Sequence, residues 1–414
     1  MLSRTFDWLA TTLRLLGLTA ALWVVACGPT CAQVSDDIVR LGLLLDMSGP
    51  YSNQTGEGSV VAARMAIEDF GGTVLGKPVD LLVADHLNKS DLASSLAREW
   101  IDTRHLDAIL DVNGTAPSLA VQDIVRSRNR IAIFASPAGT RLTNESCAPT
   151  TVQWAYDTYS LARSTAEVLM RDGYDSWYFI SLDSSFGNDV VSDATAVISQ
   201  YGGKVLGGAR HPLETHDYSS FLLAAQGSGA KVIGVGNAGN NTIELIKNAR
   251  EFAIMDKQKL ATLFSSIDVP HAVGLNVAQG MLVTEAFYWD FDELTRAWSR
   301  RFFERRRSMP NVAHAAVYSA TLHYLKAVQE AGTDETMAVM AAMRKLPVKD
   351  MFSRNGRIRI DGRMVHDMYF FEVKSPAESN SEWDIYKLKA VVPGDSAFLP
   401  LDKSRCPLVA RGEK

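Results

Sequence analysis

From Ile38 onward, short apolar runs alternate with stretches of helical spacing, and this alternation restricts the fold more than any other feature of the chain. Val39 to Leu45 reads as a buried strand, Val60 to Ile67 as a helix, Val79 to Ala84 as a strand, and Ser90 to Ile101 as a helix. Ala108 to Val112 and Ile131 to Ala135 continue the strands, with a helix begun by the Asn113–Ser118 turn between them. Strands separated by helices predict a parallel sheet wound on both faces. The pattern then restarts. Helices over 161–171, 189–200, 219–226 and 242–252 alternate with strands over 176–182, 204–208, 232–235 and 260–265. Two such runs of similar length imply an α/β fold with two doubly wound parallel-sheet lobes.

The remaining stretch is too short for a third unit of this kind. It holds a strand over 280–284, helices over 295–306 and 315–331, and two runs, 358–360 and 368–373, that read as a hairpin-like pair. The economical arrangement has the chain return to complete both lobes. That assigns residues 36–149 and 284–346 to the N-terminal lobe, 150–283 and 347–395 to the C-terminal lobe, and 396–414 to a tail. The lobes are then joined by a hinge with several crossings, which favours closure about a cleft.

The first 32 residues read as a secretory signal. Arg4 and Arg14 precede an uncharged apolar run from Leu15 to Ala26, and small residues follow at Thr30, Cys31 and Ala32. Gly28, Pro29, Thr30 and Gln33 interrupt that run before it reaches the roughly 20 apolar residues a membrane span needs. Cleavage after Ala32 leaves a soluble exported chain. Cleavage before Cys27, in Val24-Val25-Ala26-Cys27, leaves a lipid-anchored one. The first is favoured.

Of four cysteines, only Cys147 and Cys406 lie beyond the leader. In an oxidising compartment two remaining cysteines most often pair, the alternative being two free buried thiols. No thiolate metal spacing remains, and the histidines have no metal-ligand spacing, so neither a metal nor a cofactor is expected. A net charge of −5 leaves no basic footprint for nucleic acid. The cluster Arg300, Arg301, Arg305, Arg306 and Arg307 reads as a solvated helix face.

Gly234-Val235-Gly236-Asn237-Ala238-Gly239 matches a dinucleotide-binding glycine pattern, but it follows the third strand of the second run. No acid stands at a fitting strand end beyond it. A strand-end loop presenting bare backbone to a ligand is the better reading. No GxSxG, HExxH or P-loop occurs, and Asp183 has no nucleophile spaced to use it, so no enzymatic activity is expected. What recurs is a strand end rich in Gly, Ser, Thr and Asn: Ser48–Tyr51, Asn113–Thr115, Ser136–Thr140 and Asn237–Asn240. Open α/β sheets bind ligands at such edges, where helix N-termini offer N–H groups to an anion. Helix capping alone explains any one loop. Four in register point to a small carboxylate.

These residues resemble a known family. Ile38–Leu43 leading to Met47–Tyr51, the acids and glycines of Ile67–Gly72, Ser136-Pro137-Ala138, Phe186-Gly187 and Gln279–Thr284 are similar, in order and spacing, to type I periplasmic solute-binding proteins of the branched-chain amino acid group, which serve ABC importers. The resemblance implies a ligand carboxylate held by Asn113, Thr115, Ser136, Ala138 and Thr140, with Tyr51 and Thr55 nearby. It implies that Phe186 closes over the ligand, that Asn237 lies at the second-lobe edge, and that Asp268 meets an ammonium group. Val152–Asp157 and Gly362–Asp367 resemble relatives that take up aromatic acids, and Tyr51, Trp154, Tyr156 and Phe186 fall where the family places its cleft, as residues to stack on a flat ligand. The implied protein is periplasmic and monomeric, with a small-molecule carboxylate and an ABC importer membrane permease as partners. An aromatic acid is the first choice of ligand and a branched-chain or other amino acid the second. An exported α/β hydrolase or amidase and a receptor's ligand-sensing domain are the other readings.

Overall fold

Two sheets hold the fold together, and the chain passes between them three times. In this computed structural model residues 34–410 are described, so the leader, both cleavage sites, Cys27 and Cys31 lie outside the described residues. The first run comprises β1 (Val39–Leu45), α1 (Gly56–Phe70), β2 (Thr73–Val74), β3 (Lys77–Asp85), α2 (Ser90–Arg104), β4 (Ala108–Val112), α3 (Thr115–Ser127), β5 (Ile131–Phe134) and β6 (Thr151–Gln153). These strands form one sheet in the order β2-β3-β1-β4-β5-β6, parallel except for β2. β1 lies inside the sheet with helices on both faces, which is why its sequence is nearly continuous in apolar residues rather than alternating.

The second run comprises α4 (Thr158–Arg171), β7 (Ser176–Leu182), α5 (Ser185–Gln200), β8 (Lys204–His211), α6 (Ser219–Gly227), β9 (Val232–Gly236), α7 (Asn240–Glu251), β10 (Lys259–Thr262), α8 (Asp268–Val273), α9 (Leu275–Ala278) and β11 (Leu282–Glu285). The chain then crosses back. It lays α10 (Glu293–Arg306), α11 (Val312–Ala331) and α12 (Thr336–Lys345) onto the first lobe, α10 and α11 packing against α1. The expected solvated arginine face is partly engaged there: Arg301 pairs with Asp69 at 2.6 Å and Arg305 with Glu68 at 2.9 Å, both on α1.

β12 (Arg357–Ile358) pairs with β13 (Met364–Val365), and β14 (Met368–Val373) with β15 (Tyr386–Val392) follow. The second sheet therefore runs β15-β14-β11-β10-β9-β7-β8, with β14 antiparallel to β11. Two sequence expectations change here. Ile358 does not pair with residues 368–373; the Asp361-Gly362 turn, with Gly362 at φ 84°, folds it back onto Met364 first. Residues 348–365, assigned above to the second lobe, place Val348, Met351, Phe352, Ile358 and Val365 in the apolar cluster that also holds β1, α1 and α11. A backbone bridge between Gln153 and Arg363 holds them there.

The disulfide joins Cys147 to Cys406 across 259 positions, and the Arg405 N–H donates to Asn144 Oδ1 beside it. The tail is thus tied to the loop before β6. The chain-entropy model gives about 5 kcal/mol or more for so long a closure, and disulfides typically deliver about 2–4 kcal/mol of it. Reduction, or Cys406→Ser, is expected to lower the unfolding free energy by that amount in urea denaturation, with little change in the far-ultraviolet circular dichroism of the native state.

Candidate ligand-binding site

The carboxyl ends of the two sheets face one another, so helices that start there aim their N-termini into a shared cleft. α3 begins after Gly114, whose φ of 87° suits glycine, and no side chain caps its first turn. From the opposite lobe α5 begins at Ser185, with the Ser184 hydroxyl accepting the Gly187 N–H at 3.1 Å. Two helix N-termini therefore bring partial positive charge to the cleft from opposite sides.

Between them lies a cavity of about 170 Å³. The first lobe lines it with Tyr51, Gln54, Asn88, the Asn113–Pro117 turn and the Ser136–Ala138 loop. Tyr156, just past β6, forms part of the wall, and the second lobe adds Ser184, Ser185, Phe186, Ala238 and Phe264. No Asp, Glu, Lys, Arg or His is among these lining residues. The rings are arranged around Phe264, with the Tyr156 centroid 5.2 Å from it and that of Phe186 at 6.0 Å, edge-on. Gln54 Nε2 donates to the Tyr156 hydroxyl at 3.2 Å.

Behind the first-lobe wall sits Asp111, fully buried at the end of β4. Its Oδ1 accepts the N–H groups of Ala135 and Ser136, both at 2.9 Å, and so fixes the loop that presents the Ser136 hydroxyl. Burial pushes its carboxyl up to about 6, against the lowering effect of the Ser136 hydroxyl and those N–H groups. Asp111 Oδ2, Ser136 Oγ and Asn113 Oδ1 are all buried without completing a hydrogen bond. Other buried polar atoms among the described residues are also unpartnered, but these three cluster at the cavity wall, where a ligand or water can complete their bonds.

Seven of the twelve sequence-derived candidates line this cavity: Tyr51, Asn113, Thr115, Ser136, Ala138, Tyr156 and Phe186. The other five do not. Trp154 is fully buried with Nε1 donating to Ser319 on α11 at 3.2 Å, because the residue after β6 turns toward the helix layer. Thr55 is buried before α1, its hydroxyl on the Tyr51 carbonyl at 3.4 Å. Thr140 bonds to Thr158 at 2.8 Å and to Asp193 on α5 at 3.3 Å, so its hydroxyl joins the lobes instead of facing the cavity. Asn237 is held by His211 Nε2 at 2.8 Å. Asp268 lines a separate space of about 30 Å³ and is bonded by the Ser266 hydroxyl and Asn311. Burial pushes its carboxyl up.

Gln54, Asn88, Ser184, Ser185 and Phe264 were not anticipated. Ser184 and Ser185 immediately precede the Phe186-Gly187 pair and could have been found as a helix start. Gln54 and Phe264 carry no local signal.

Gly239 explains the glycine pattern after β9. A Cβ there would lie 2.8 Å from the Pro50 carbonyl oxygen and 3.4 Å from the Tyr51 ring, so the second lobe's loop approaches the first lobe's by backbone alone. Nearby, Arg141 before β6 forms a two-pronged pair with Asp189 on α5, at 2.5 and 3.2 Å.

Comparison with known proteins agrees with this architecture. A family model described as periplasmic binding protein matches residues 38–380. No curated protein matches. Among solved structures, a periplasmic binding protein from Burkholderia mallei is 42% identical, covers 90% of this chain and 99% of its own, and superposes with a TM-score of 0.87. A branched chain amino acid ABC transporter periplasmic ligand-binding protein from Burkholderia xenovorans is 35% identical over 90% of this chain and 100% of its own, with a TM-score of 0.84. An ABC transporter solute binding protein from Rhodopseudomonas palustris, solved in complex with benzoate, shares the fold at 16% identity and a TM-score of 0.79, over 90% of this chain and 100% of its own.

Gly239→Ala is expected to hold the lobes apart. The added methyl meets backbone on the opposite lobe, and its φ of 56° costs a further 1–2 kcal/mol for a non-glycine residue. Small-angle scattering should give a larger radius of gyration than for the unsubstituted protein, with unchanged helix content.

Proposed function

The chain belongs to the periplasmic binding protein family, and on that premise we propose that it binds an aromatic carboxylate in the interlobe cleft and delivers it to an ABC importer. It is the periplasmic solute-binding component of such a transporter; the ligand class is the further step. The observation that carries it is the make-up of the cavity wall, which pairs four aromatic rings with hydroxyls and helix N-termini and includes no carboxylate.

An amino acid needs both a place for its carboxylate and a countercharge for its ammonium. The nearest counterpart of the family's acidic partner, offset in sequence, is Asp268, which lies outside this cavity and is already bonded to Ser266 and Asn311. A charged ammonium against an uncharged wall would lose its hydration without compensation. An aromatic acid has no such group. Its carboxylate fits the Thr115, Ser136 and Ala138 wall at the start of α3, and its ring fits among Tyr51, Tyr156, Phe186 and Phe264. A cavity of ~150 Å³ accepts benzene, so the space here suits a single ring bearing small substituents.

Binding would favour closure because the wall is divided between lobes: the carboxylate end on the first, Phe186 and Phe264 on the second. A ligand touching both stabilises the closed form by its differential contacts. The Arg141–Asp189 pair and the Thr140–Asp193 bond add to that form without touching the ligand. We read the protein as a monomer whose partner is a membrane permease that senses closure, with no turnover of the ligand.

Thermal-shift and calorimetric titration with benzoate, 4-hydroxybenzoate, leucine and phenylalanine test the ligand class. The aromatic acids lacking an ammonium should raise the melting temperature, and the amino acids should bind more weakly. Tight leucine binding with none for the benzoates would reverse the reading. Benzamide should bind more weakly than benzoate. The double variant Thr115→Ala, Ser136→Ala should lose at least about tenfold in benzoate affinity, since each hydrogen bond to a charged group contributes about 1.5–3 kcal/mol. Unchanged affinity would place the carboxylate elsewhere.

A further inference from the structure

We propose that Asp111 is the positioning residue of the carboxylate site: it holds a proton while the ligand is bound, donates it to Ser136 Oγ, and thereby turns the Ser136 hydroxyl toward the ligand. The inference rests on the carboxylate reading above and adds that ligand uptake is coupled to one proton.

Three features of the geometry lead to it. Asp111 is fully buried, and one of its oxygens is committed to the Ala135 and Ser136 N–H groups at 2.9 Å each. The other, Oδ2, and the Ser136 hydroxyl oxygen complete no hydrogen bond, yet the hydroxyl is close enough to lower the carboxyl's value, so the two stand as a loosely engaged pair. Ser136 lines the cavity while Asp111 does not, so the acid can reach a ligand only through that hydroxyl.

A serine hydroxyl has one proton to donate. If Asp111 is ionised, its free Oδ2 is the strongest nearby acceptor, and the Ser136 proton points away from the cavity. A ligand carboxylate would then meet lone pairs on Ser136 Oγ and a second negative charge behind it. If Asp111 is neutral, the chain reverses: Oδ2–H donates to Oγ, and Oγ–H donates to the ligand. No bond is broken in this arrangement; the proton on Oδ2 comes from solvent on binding.

The surroundings leave the carboxyl free to respond in this way. Its register neighbour on β1 is the apolar Leu43, and from the end of β5 it meets only Ala135 and Ser136. From beyond β6 it feels Tyr156, whose hydroxyl burial and Asp111 itself keep un-ionised. The leading influences on Asp111 are burial and hydrogen bonds, none of them a charged side chain. Burial pushes its carboxyl up to about 6. A ligand anion next to it raises that value further, because like charge disfavours ionisation. The sign follows. Affinity for a carboxylate is full below pH 6 and falls as pH rises through and above it, by up to about tenfold per pH unit while one proton is taken up. The ligand's own carboxyl is ionised throughout this range. Other groups near the cleft shift as well: burial lowers His86, raises Asp268 and Glu285, and lifts Asp193, on the Thr140 bond, to about 7.

Calorimetric titration with benzoate, and with leucine in parallel, from pH 5.5 to 8 in buffers of different ionisation enthalpy provides the test. The unsubstituted protein should take up close to one proton and lose affinity above pH 6. Asp111→Asn imitates the neutral acid, since its amide N–H can donate to Ser136 Oγ. It should abolish the pH dependence while binding at pH 8 at least as tightly as the unsubstituted protein. Asp193→Asn should keep the dependence. Binding without proton uptake, or a slope that survives in Asp111→Asn, overturns the inference and leaves the carboxylate reading intact. Failure of both benzoate and leucine to bind at any pH overturns both. Should Asp111→Asn not fold, difference infrared spectra of the unsubstituted protein at pH 7.5 decide the matter. A protonated-carboxyl stretch must appear on benzoate binding, and its absence overturns the inference.

Discussion

The guanidinium of Arg363 joins the parts on which the cleft depends. It is fully buried, donates from Nη1 to the Tyr156 carbonyl at 2.8 Å and from Nε to the Met364 carbonyl at 3.1 Å, and lies 4.7 Å over the Phe398 ring. Asp157 is 3.6 Å away, equally buried, and caps α4. Residues 154–157 lead from β6 to α4 and residues 346–367 from α12 to β14, so one buried cation ties two connecting segments together. Breaking a buried pair of this kind by removing one partner typically costs 3–5 kcal/mol, much of it from the charge left behind. Burial lowers the Arg363 value to about 10, which keeps it charged at any physiological pH. The two segments are therefore cross-linked, and Tyr156, within the first, is held at the cavity wall through its carbonyl by the same residue.

With these segments fixed, the electrostatics of the cleft follow from sheet direction. Parallel strands place all their carboxyl ends at one edge, and each following helix begins there. Two lobes built in this way and turned face to face concentrate N–H groups on one small volume. An anion can then be held without a lysine or arginine. Charge of the ligand's own sign, however, must be kept out or neutralised. Asp111 lies behind the Ser136 wall, and its burial pushes the carboxyl up to about 6.

Much of this was legible in the sequence, and the limits of its legibility have physical causes. Alternation of strand and helix gave both sheets, because burial on two faces leaves a continuous apolar run that composition reveals. The loops at Asn113–Thr115 and Ser136–Ala138 were readable because glycine and hydroxyl residues at a strand end have few structural uses. Direction within a loop was not readable. Trp154 and Tyr156 stand two residues apart just after β6, yet one packs on α11 and the other lines the cavity, since strand alternation no longer applies once the ladder ends. Thr140 and Ala138 diverge in the same way. Gln54 and Phe264 reach the cavity from separate lobes through tertiary packing alone. Asp111 shows the deepest limit: its position in β4 reads as a strand residue, and only the coordinates connect its carboxylate to Ser136.

The glycines after β9 show why a motif can be sound in geometry and silent on ligand. A dinucleotide site uses glycine so that backbone can approach a pyrophosphate, and the final glycine so that helix and strand can pack closely. Here Gly234 lets the Phe179 ring lie where a side chain would stand, with a Cβ only 2.4 Å from it, and Gly236 does the same for Ser181 at 2.9 Å. Gly239 admits the backbone of the opposite lobe. Each position meets the same demand, close approach by something that cannot yield, and only the identity of the approaching group differs. The pattern therefore records crowding. What does the crowding is decided by the partner lobe, whose Pro50 and Tyr51 lie nearly two hundred residues earlier in the chain. In this protein the glycine loop meets the opposite lobe, while the start of α3 and the Ser136 loop line the cavity.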